Sequence, residues 1–400
     1  MTEKLAIHGG APVRETPMPN RLAFGPEEQQ ALLQAVEHYA SKGQDPPYQG
    51  HFEESFCRAF CDFMGGGRAD AVSSGTASVF VALAALGLPK GSHVLISPVT
   101  DSGPLNCIIM QGLVPVLVDS RPGSYNVGLE QVLARVTPQT SAFLAVHSAG
   151  EPLEIAAITE ALHQRGIKVL EDCSQAPGAT QGGRLVGTVG DIAAFSTMYR
   201  KTLTAGASGG LVYTQNEELF RMVQAHADRG KQSWRNDLDG RDPGHCLFPA
   251  LNFNTDELSC AIGIASLGRL PDSVRQRVEF LEALVARLPE ESELCRPYAL
   301  HKGFSPFYFP IFVDADRLSC SKTEFAKAVA AEGIGLGEHY GCVVHSWQWA
   351  QPYFSDDFVT RNALDTRDRS FNLYVNERYG QQEVEDIVRA IAKVERWFRK

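Results

Sequence analysis

The sequence predicts an α/β fold, with a mostly parallel sheet in a large domain and a smaller C-terminal α/β domain, and three observations lead there. Short apolar runs at 93–96, 115–118, 142–146 and 167–170 alternate with stretches of helical periodicity; alternating βα units favour a parallel sheet covered on both faces. The segments after several of these runs are polar and glycine-rich, and an open α/β sheet places its ligands at such strand ends. A chain of 400 residues also has room for more than one domain. The expected division is 1–270 for the large domain with an N-terminal arm and 271–400 for the small one.

Taken in order, the opening from Leu5 to Arg14 holds Gly9, Gly10 and Pro12 and reads as a turn-rich arm. Gly25-Pro26-Glu27-Glu28 starts a helix, with Leu32, Leu33, Val36 and Tyr39 at helical spacing. Residues 51–64 form a second helix on a core stripe of Phe52, Phe56, Phe60 and Phe63, and Gly65-Gly66-Gly67 ends it. Ala71-Val72-Ser73 leads into Ser74-Gly75-Thr76 and a helix from Ala77 to Leu86. Such a helix N-terminus offers unpaired N–H groups and a positive dipole end to a phosphate, although serine and threonine are also ordinary caps. Beyond the four apolar runs, 191–196 and 209–214 read as strands and Glu217 to about Ala227 as a helix. Residues 228–249 are polar and rich in glycine, proline and charge, which reads as a long functional loop. Asn252 to Leu258 then begins a helix with Thr255 as its cap. A separate long helix, about Ser273 to Leu288, ends at Pro289 and bridges to the small domain, which has a strand at 307–313 and helices at 322–332 and 382–398.

Composition excludes several classes. The net charge of −10 is spread without a basic block, so nucleic acid is not an expected partner, because phosphate-backbone binding needs a concentrated basic face. Nine scattered cysteines form no CxxC or Cys/His quartet, and only Cys57 and Cys61 share a helical face; free thiols in a reducing cytosol are expected. Residues 1–20 lack an apolar signal core, and no run approaches the roughly 18 apolar residues of a membrane span. A cytoplasmic protein without a membrane partner follows. The spacing of His339 and His345, with no carboxylate in a matching pattern, gives no expected metal site.

The chemistry concentrates between 167 and 210. Ile167-Lys168-Val169-Leu170-Glu171 reads as a buried strand that ends on Asp172, and Asp191 to Ser196 as another that ends shortly before Lys201. A carboxylate at one strand end and a lysine just past another are what pyridoxal phosphate needs. The lysine forms the imine, and the acid keeps the ring nitrogen protonated so that the ring accepts electrons.

The run from Glu171 to Ala179, then Gly187-Thr188-Val189-Gly190-Asp191, then Phe195-Ser196 with Lys201 and Gly206 to Gly210, resembles the DegT/DnrJ/EryC1/StrS family. Matching blocks extend from about Leu5 to about Tyr340. The resemblance implies a fold-type I pyridoxal 5'-phosphate enzyme, in that family mostly an aminotransferase acting on keto-sugars and cyclitols, with glutamate or glutamine as amino donor. It implies Lys201 as imine lysine and proton shuttle, Asp172 on the ring nitrogen, Gln175 beside the ring or on its hydroxyl, and Ser74, Gly75, Thr76 and Ser196 on the phosphate. Asn252 lies in a stretch similar to the family's GxNxR, whose asparagine reaches the phosphate of the partner subunit, so a homodimer with shared active sites is implied. The opening arm resembles the GGxPVR arm of the cyclitol and aminohydroxybenzoate branches.

The departures from the family pattern gather around the substrate. Asp101, in Pro98-Val99-Thr100-Asp101, stands where relatives carry a ring that stacks on the cofactor; it is either a cofactor or substrate contact by its charge, or a turn residue. His147 is a structural strand-end histidine or a ligand contact. Ala250 and Asn254 replace the glycine and arginine of GxNxR, Ser208 replaces an acid or amide, Arg200 is unusual before the lysine, and His339-Tyr340 with His345 resembles a substrate loop that has lost its proline. Two alternatives stay open: another reaction on the same cofactor (dehydration, racemisation, or β- or γ-replacement), and a noncatalytic regulatory protein on the same fold, which the intact Lys201 and Asp172 oppose.

Overall fold

The structure, a computed structural model, describes residues 3–400. The first helices are α1 (Pro26–Ala40) and α2 (His51–Met64). The βα core follows as β1 (Arg68–Val72), α3 (Gly75–Ala85), β2 (His93–Ile96), α4 (Ser102–Met110), β3 (Val114–Leu117), α5 (Leu129–Leu133), β4 (Thr140–Val146), α6 (Ile155–His163) and β5 (Lys168–Asp172). A small hairpin, β6 (Thr180–Gln181) and β7 (Arg184–Leu185), precedes β8 (Ile192–Ser196), β9 (Gly210–Thr214) and α7 (Glu217–Ala227). The long α8 (Glu257–Glu291) leads to β10 (Cys295–Pro297), β11 (Tyr308–Val313), α9 (Lys322–Ala331), β12 (Leu336–Gly337), α10 (Arg361–Arg369), β13 (Ser370–Tyr374) and α11 (Gln381–Phe398).

The larger sheet has seven strands in the order β1-β9-β8-β5-β4-β2-β3. Its consecutive pairs from β8 to β3 are parallel, while β9 runs antiparallel to both β8 and β1. Side chains alternate across it as the pleat requires: Ile96, Leu144 and Leu170 pack with α3 and α4, whereas Leu95, Phe143 and Val169 pack with α5 and α6. Burial on both faces explains why these strands read as continuous apolar runs. The second sheet has four antiparallel strands, β10-β11-β13-β12, and packs on α8, α9 and α11.

The structure corrects several sequence expectations. On α1, Tyr39 is buried but Leu33 and Val36 are 61% and 49% exposed, so the expected stripe turns partly outward; the face against α8 is made by Glu28, Ala35 and Tyr39 instead. Asp256, not Thr255, caps α8, its carboxylate accepting Ser259 N–H. The two helices expected on either side of 270 are one helix of 35 residues that runs through Pro271 and Pro289. An internal proline costs a helix about 3 kcal/mol; here Leu267, Leu270, Phe280, Leu281, Leu284 and Leu288 are buried along it, and that packing outweighs the break. We propose that the boundary between the two domains lies inside α8, whose first half packs on α1 and α2 and whose second half packs on α11 and β10.

The N-terminal arm is fastened to the small unit. Leu5 is completely buried in its core. The buried Glu332 accepts N–H groups from Ala6 at 2.8 Å and Val13 at 3.0 Å and pairs with Lys393 at 2.8 Å, while Lys393 also donates to Ala11 O. Gly10 is required by close approach, since a Cβ there would sit 2.0 Å from Lys4 O.

One buried cation joins the parts of the molecule. Arg277 of α8, 1% exposed, binds Glu377 through Nε and Nη2 (3.1 and 2.7 Å), Thr202 Oγ1 at 2.8 Å and Pro306 O at 2.9 Å. Glu377 in turn accepts Leu22 N–H. Burial pushes the Glu377 carboxyl up, but Arg277 outweighs it and the net shift is downward. Removing one partner of such a pair strands the other, at a typical cost of 3–5 kcal/mol. Urea unfolding of Arg277→Met should therefore show a loss of about 3–5 kcal/mol, with the double variant Arg277→Met/Glu377→Leu recovering part of it. A single-variant loss below about 1 kcal/mol would show that the pair is not a stabilising clamp.

A second buried group lies under the 228–254 loop. Glu53 of α2 and Asp70 of β1 are 3% and 6% exposed. Burial, then Asp228, raises Asp70 to about 7; burial, then Asp70, raises Glu53 to about 8. Carboxyls raised in the fold hold their protons more tightly than in the unfolded chain, so their contribution is full below about 4 and is lost as pH rises through 7 to 8. Stability of the wild type should fall between pH 5 and pH 8, and Asp70→Asn should fall less over the same range, by about 2 kcal/mol. Parallel profiles for the two proteins would contradict the shift.

Candidate active site

At the C-terminal edge of the large sheet, a cavity of about 220 Å³ is lined by Ser74, Gly75, Thr76, Asp101, Asp172, Gln175, Ser196 and Lys201, with Val79, Thr100, Pro104, Ser174 and Met198 completing the wall. Eight of the nine residues expected at the cofactor converge there; Asn252 does not. A larger cavity of about 640 Å³ lies between residues 47–49 and the 228–246 loop. It contains neither Lys201 nor Asp172, so the smaller cavity is the candidate site.

Each side chain is placed by a strand end or helix start. Ser74 caps α3 by accepting Ala77 N–H, and the hydroxyl of Ser78 reaches both Gly75 O and Phe195 O, which pins the start of α3 against the end of β8. This approach demands glycine at 75: a Cβ would lie 2.5 Å from Ser196 Cβ. The backbone N–H groups that open α3, with the Ser196 hydroxyl beside them, make a cradle for a phosphate. Asp172 ends β5, and its Oδ1 accepts Ser174 N–H at 3.0 Å. Lys201 Nζ lies 4.4 Å from the centre of the Phe307 ring.

The electrostatics fit a cationic ring and an imine-forming amine. Burial raises the Asp172 carboxyl against the opposing pull of Ser174 and Lys201; a protonated pyridine nitrogen would offset that desolvation with a charge-assisted hydrogen bond. Burial also lowers Lys201, although Asp172 and Asp101 act the other way. A lysine whose ammonium is disfavoured is more readily the neutral amine that attacks a carbonyl. The residues present thus suit pyridoxal phosphate at three points: ring nitrogen, aldehyde carbon and phosphate.

The remaining candidates divide. Gln175 Oε1 accepts Ala149 N–H at 2.9 Å, which fixes the amide and leaves its NH₂ as a donor. Asp101 caps α4, its Oδ1 accepting Gly103 N–H at 3.0 Å, and it also lines the cavity. His147 is completely buried outside the cavity wall; it accepts Leu153 N–H at Nδ1 and therefore presents Nε2–H to Glu171 at 3.1 Å. Of its two readings, the structural one fits these contacts. His147, Glu171 and Cys173 lie close together, yet Glu171 already accepts N–H groups from Gly187, Val189 and Gly190. Arg200 is exposed against Tyr199, and Ser208 donates to Ser73 O at 2.6 Å.

Two residues at the site were missed. Phe307 covers Lys201, and Cys342 is near enough to Lys201 and Asp101 to influence and be influenced by their charges. Cys342 arrives because Val343 bridges to Val99 and Thr100 N–H binds Cys342 O at 3.0 Å. No local pattern announces either residue, since each reaches the site from the far third of the chain.

The model of the DegT/DnrJ/EryC1/StrS aminotransferase family matches residues 26–392. The chain is 30% identical over 383 residues to the spore coat polysaccharide biosynthesis protein SpsC of Bacillus subtilis (strain 168), covering 93% of this chain and 95% of that one. An aminotransferase from Psychrobacter cryohalolentis has the same fold, with a TM-score of 0.85 at 23% identity over 96% of this chain and 100% of that one. So does a GDP-4-keto-6-deoxymannose-3-dehydratase solved with a trapped PLP-glutamate geminal diamine, with a TM-score of 0.83 at 20% identity over 92% of this chain and 98% of that one. Among the described residues no helix is long and apolar enough to cross a membrane. Since the family's pattern runs through nearly the whole chain, the protein belongs to the DegT/DnrJ/EryC1/StrS family of pyridoxal-phosphate-dependent aminotransferases.

Proposed function

We propose that the protein moves an amino group from glutamate or glutamine to a keto-sugar, a cyclitol ketone or a related biosynthetic intermediate, with Lys201 and Asp172 as its catalytic pair. The observation that carries this reading is a half-buried lysine and a buried carboxylate in one cavity beside a phosphate cradle. The cofactor, when bound, supplies an electron sink for the carbon that loses its proton. Asp172 holds a proton on the ring nitrogen. Lys201 Nζ, less basic through burial, takes and returns the proton in each half-reaction. Ser74, Gly75, Thr76 and Ser196 anchor the phosphate, and Gln175 offers its NH₂ beside the ring. The polysaccharide role of the SpsC relative supports a sugar-like acceptor.

The active unit in this reading is a homodimer with shared sites. Asn252 is exposed and does not line its own chain's cavity; its Oδ1 accepts both the backbone N–H and the side-chain NH₂ of Asn254, and its own NH₂ donates to the exposed Tyr48 hydroxyl at 3.4 Å. Around it Tyr48, Leu247 and Leu251 are 53%, 46% and 60% exposed, an apolar fringe suited to a second copy.

Borohydride reduction of the holoprotein followed by peptide mapping should place the pyridoxyl label on Lys201; a label on another lysine would remove the assignment. In a half-reaction screen, glutamate or glutamine should convert the cofactor to its aminated form and release the keto acid, and Lys201→Ala should lose at least about 10³-fold. Elimination products without aminated cofactor would favour the dehydratase-like chemistry. Mixing Lys201→Ala with Asn252→Ala subunits should restore one intact site per hybrid dimer. No recovery despite confirmed subunit exchange would count against sharing.

A further inference from the structure

A second cluster of cations stands apart from the candidate active site. Where the turn after β3 meets the chain between β10 and β11, a cavity of about 220 Å³ is lined by Arg121, Ser124, Arg296, Tyr298 and His301, and no acid belongs to its wall. It shares no residue with the cavity around Lys201 or with the larger one beside the 228–246 loop.

The acid behind that wall is saturated. Glu151, 3% exposed, accepts Arg121 Nη2 at 2.9 Å on Oε1, and Asn126 Nδ2 at 2.7 Å and the Tyr298 hydroxyl at 2.6 Å on Oε2. One edge of the Arg121 guanidinium is thereby fixed, while its Nη1 has no hydrogen-bond partner among the described residues. The other two cations are not answered by an acid of their own. Arg296, exposed on β10, lies with its guanidinium 4.8 Å from the centre of the Phe312 ring and forms no ion pair among the described residues. That contact orients the fork and leaves its N–H groups free. His301 Nε2 is 3.9 Å from Glu151 Oε1, too far for a hydrogen bond. Glu151 offsets Arg121 alone, so Arg296 gives the cleft a net positive charge. The chain as a whole, at −10, repels anions, and an anion is held only where cations gather locally.

The two walls have a set separation. Tyr298 reaches Glu151 from the small unit, and just beyond it Ser305 N–H binds Gly150 O at 2.9 Å and Phe307 N–H binds Ala149 O at 3.0 Å. Donors held in place before a ligand arrives lose little freedom on binding it.

We infer that this cleft is a binding site for a small phosphate-bearing anion, separate from the phosphate cradle at Ser74. Guanidinium forks match phosphate oxygens through paired N–H donors. Here two forks and an imidazole come from two separate segments, which suits the three free oxygens of a tetrahedral phosphate better than the two of a planar carboxylate. The volume equals that of the cavity around Lys201, so a phosphate and a small organic body both fit. Nothing in this site depends on the reaction at Lys201.

Calorimetry on the holoprotein, whose cofactor phosphate already occupies the cradle, tests the site at low ionic strength with three probes: inorganic phosphate, glycerol 3-phosphate and succinate. At least one phosphate probe should bind at a single site per chain and about tenfold or more tighter than succinate. Arg296→Gln should weaken that binding by about tenfold, and the double variant Arg296→Gln/His301→Gln should weaken it further. Both positions are exposed, and both changes leave the contacts of Arg121, Asn126 and Tyr298 with Glu151 in place. Arg241→Gln, which removes a cation from the larger cavity, should leave the affinity unchanged. Tighter binding of glycerol 3-phosphate would identify a phosphorylated metabolite as the occupant, and equal or tighter binding of inorganic phosphate the free ion; either supports the site. No phosphate binding at millimolar concentration, succinate bound as tightly as phosphate, unchanged affinity in Arg296→Gln or the double variant, or a loss in Arg241→Gln instead would overturn it.

Discussion

A guanidinium taken out of water governs how this molecule holds together. Arg277 cannot be left unpaired in the interior, and its partners come from separate parts of the chain: Glu377 from the C-terminal region, Thr202 from the lysine loop and Pro306 from the entry to β11. Thr202 adjoins Lys201 and Pro306 adjoins Phe307, so the two residues whose contact shields the lysine are each one step from the same cation. Glu377 extends the tie to Leu22, and Arg21 reaches Tyr199 O, so the segment before α1 is bound to the lysine loop as well. The small unit is therefore part of how Lys201 is placed, not an appendage to the sheet.

The large sheet contributes its own constraint, the convergence of strand ends. Asp172 and Ser196 end β5 and β8, Ser74 follows β1, and Asp101 follows β2. Residues remote in sequence thus share one rim, where helix starts offer N–H groups and buried side chains lose the solvation that would set them at ordinary pKa values. The opposite shifts of Asp172 and Lys201 have the same cause: burial disfavours charge on both.

What could be read beforehand follows from this division. Strand cores such as His93–Ile96 were legible because burial on both faces leaves an apolar run, and α2 and α7 because amphipathic spacing and glycine or asparagine ends mark their limits. The placing of Asp172, Lys201 and the Ser74 element around one cavity was legible because each lies at or just past a strand end or helix start. The continuity of α8 was not, because Pro271 argues for a break that only tertiary burial overrides. Short strands such as β10 and β12 have too few residues to show a period. Phe307 and Cys342 reach the site through contacts over long sequence separation, and His147 looked available only because its partner Glu171 faces away from the cavity.

The N-terminal arm ends up as a strap across the last helix. Its amides at Ala6 and Val13 are held by Glu332, and Glu332 and the arm's Ala11 O are both held by Lys393 of α11. Hydrogen exchange at those two amides therefore reports on an opening that also unpairs Lys393, so the beginning and the end of the chain exchange as one cooperative unit although nearly the whole sequence separates them.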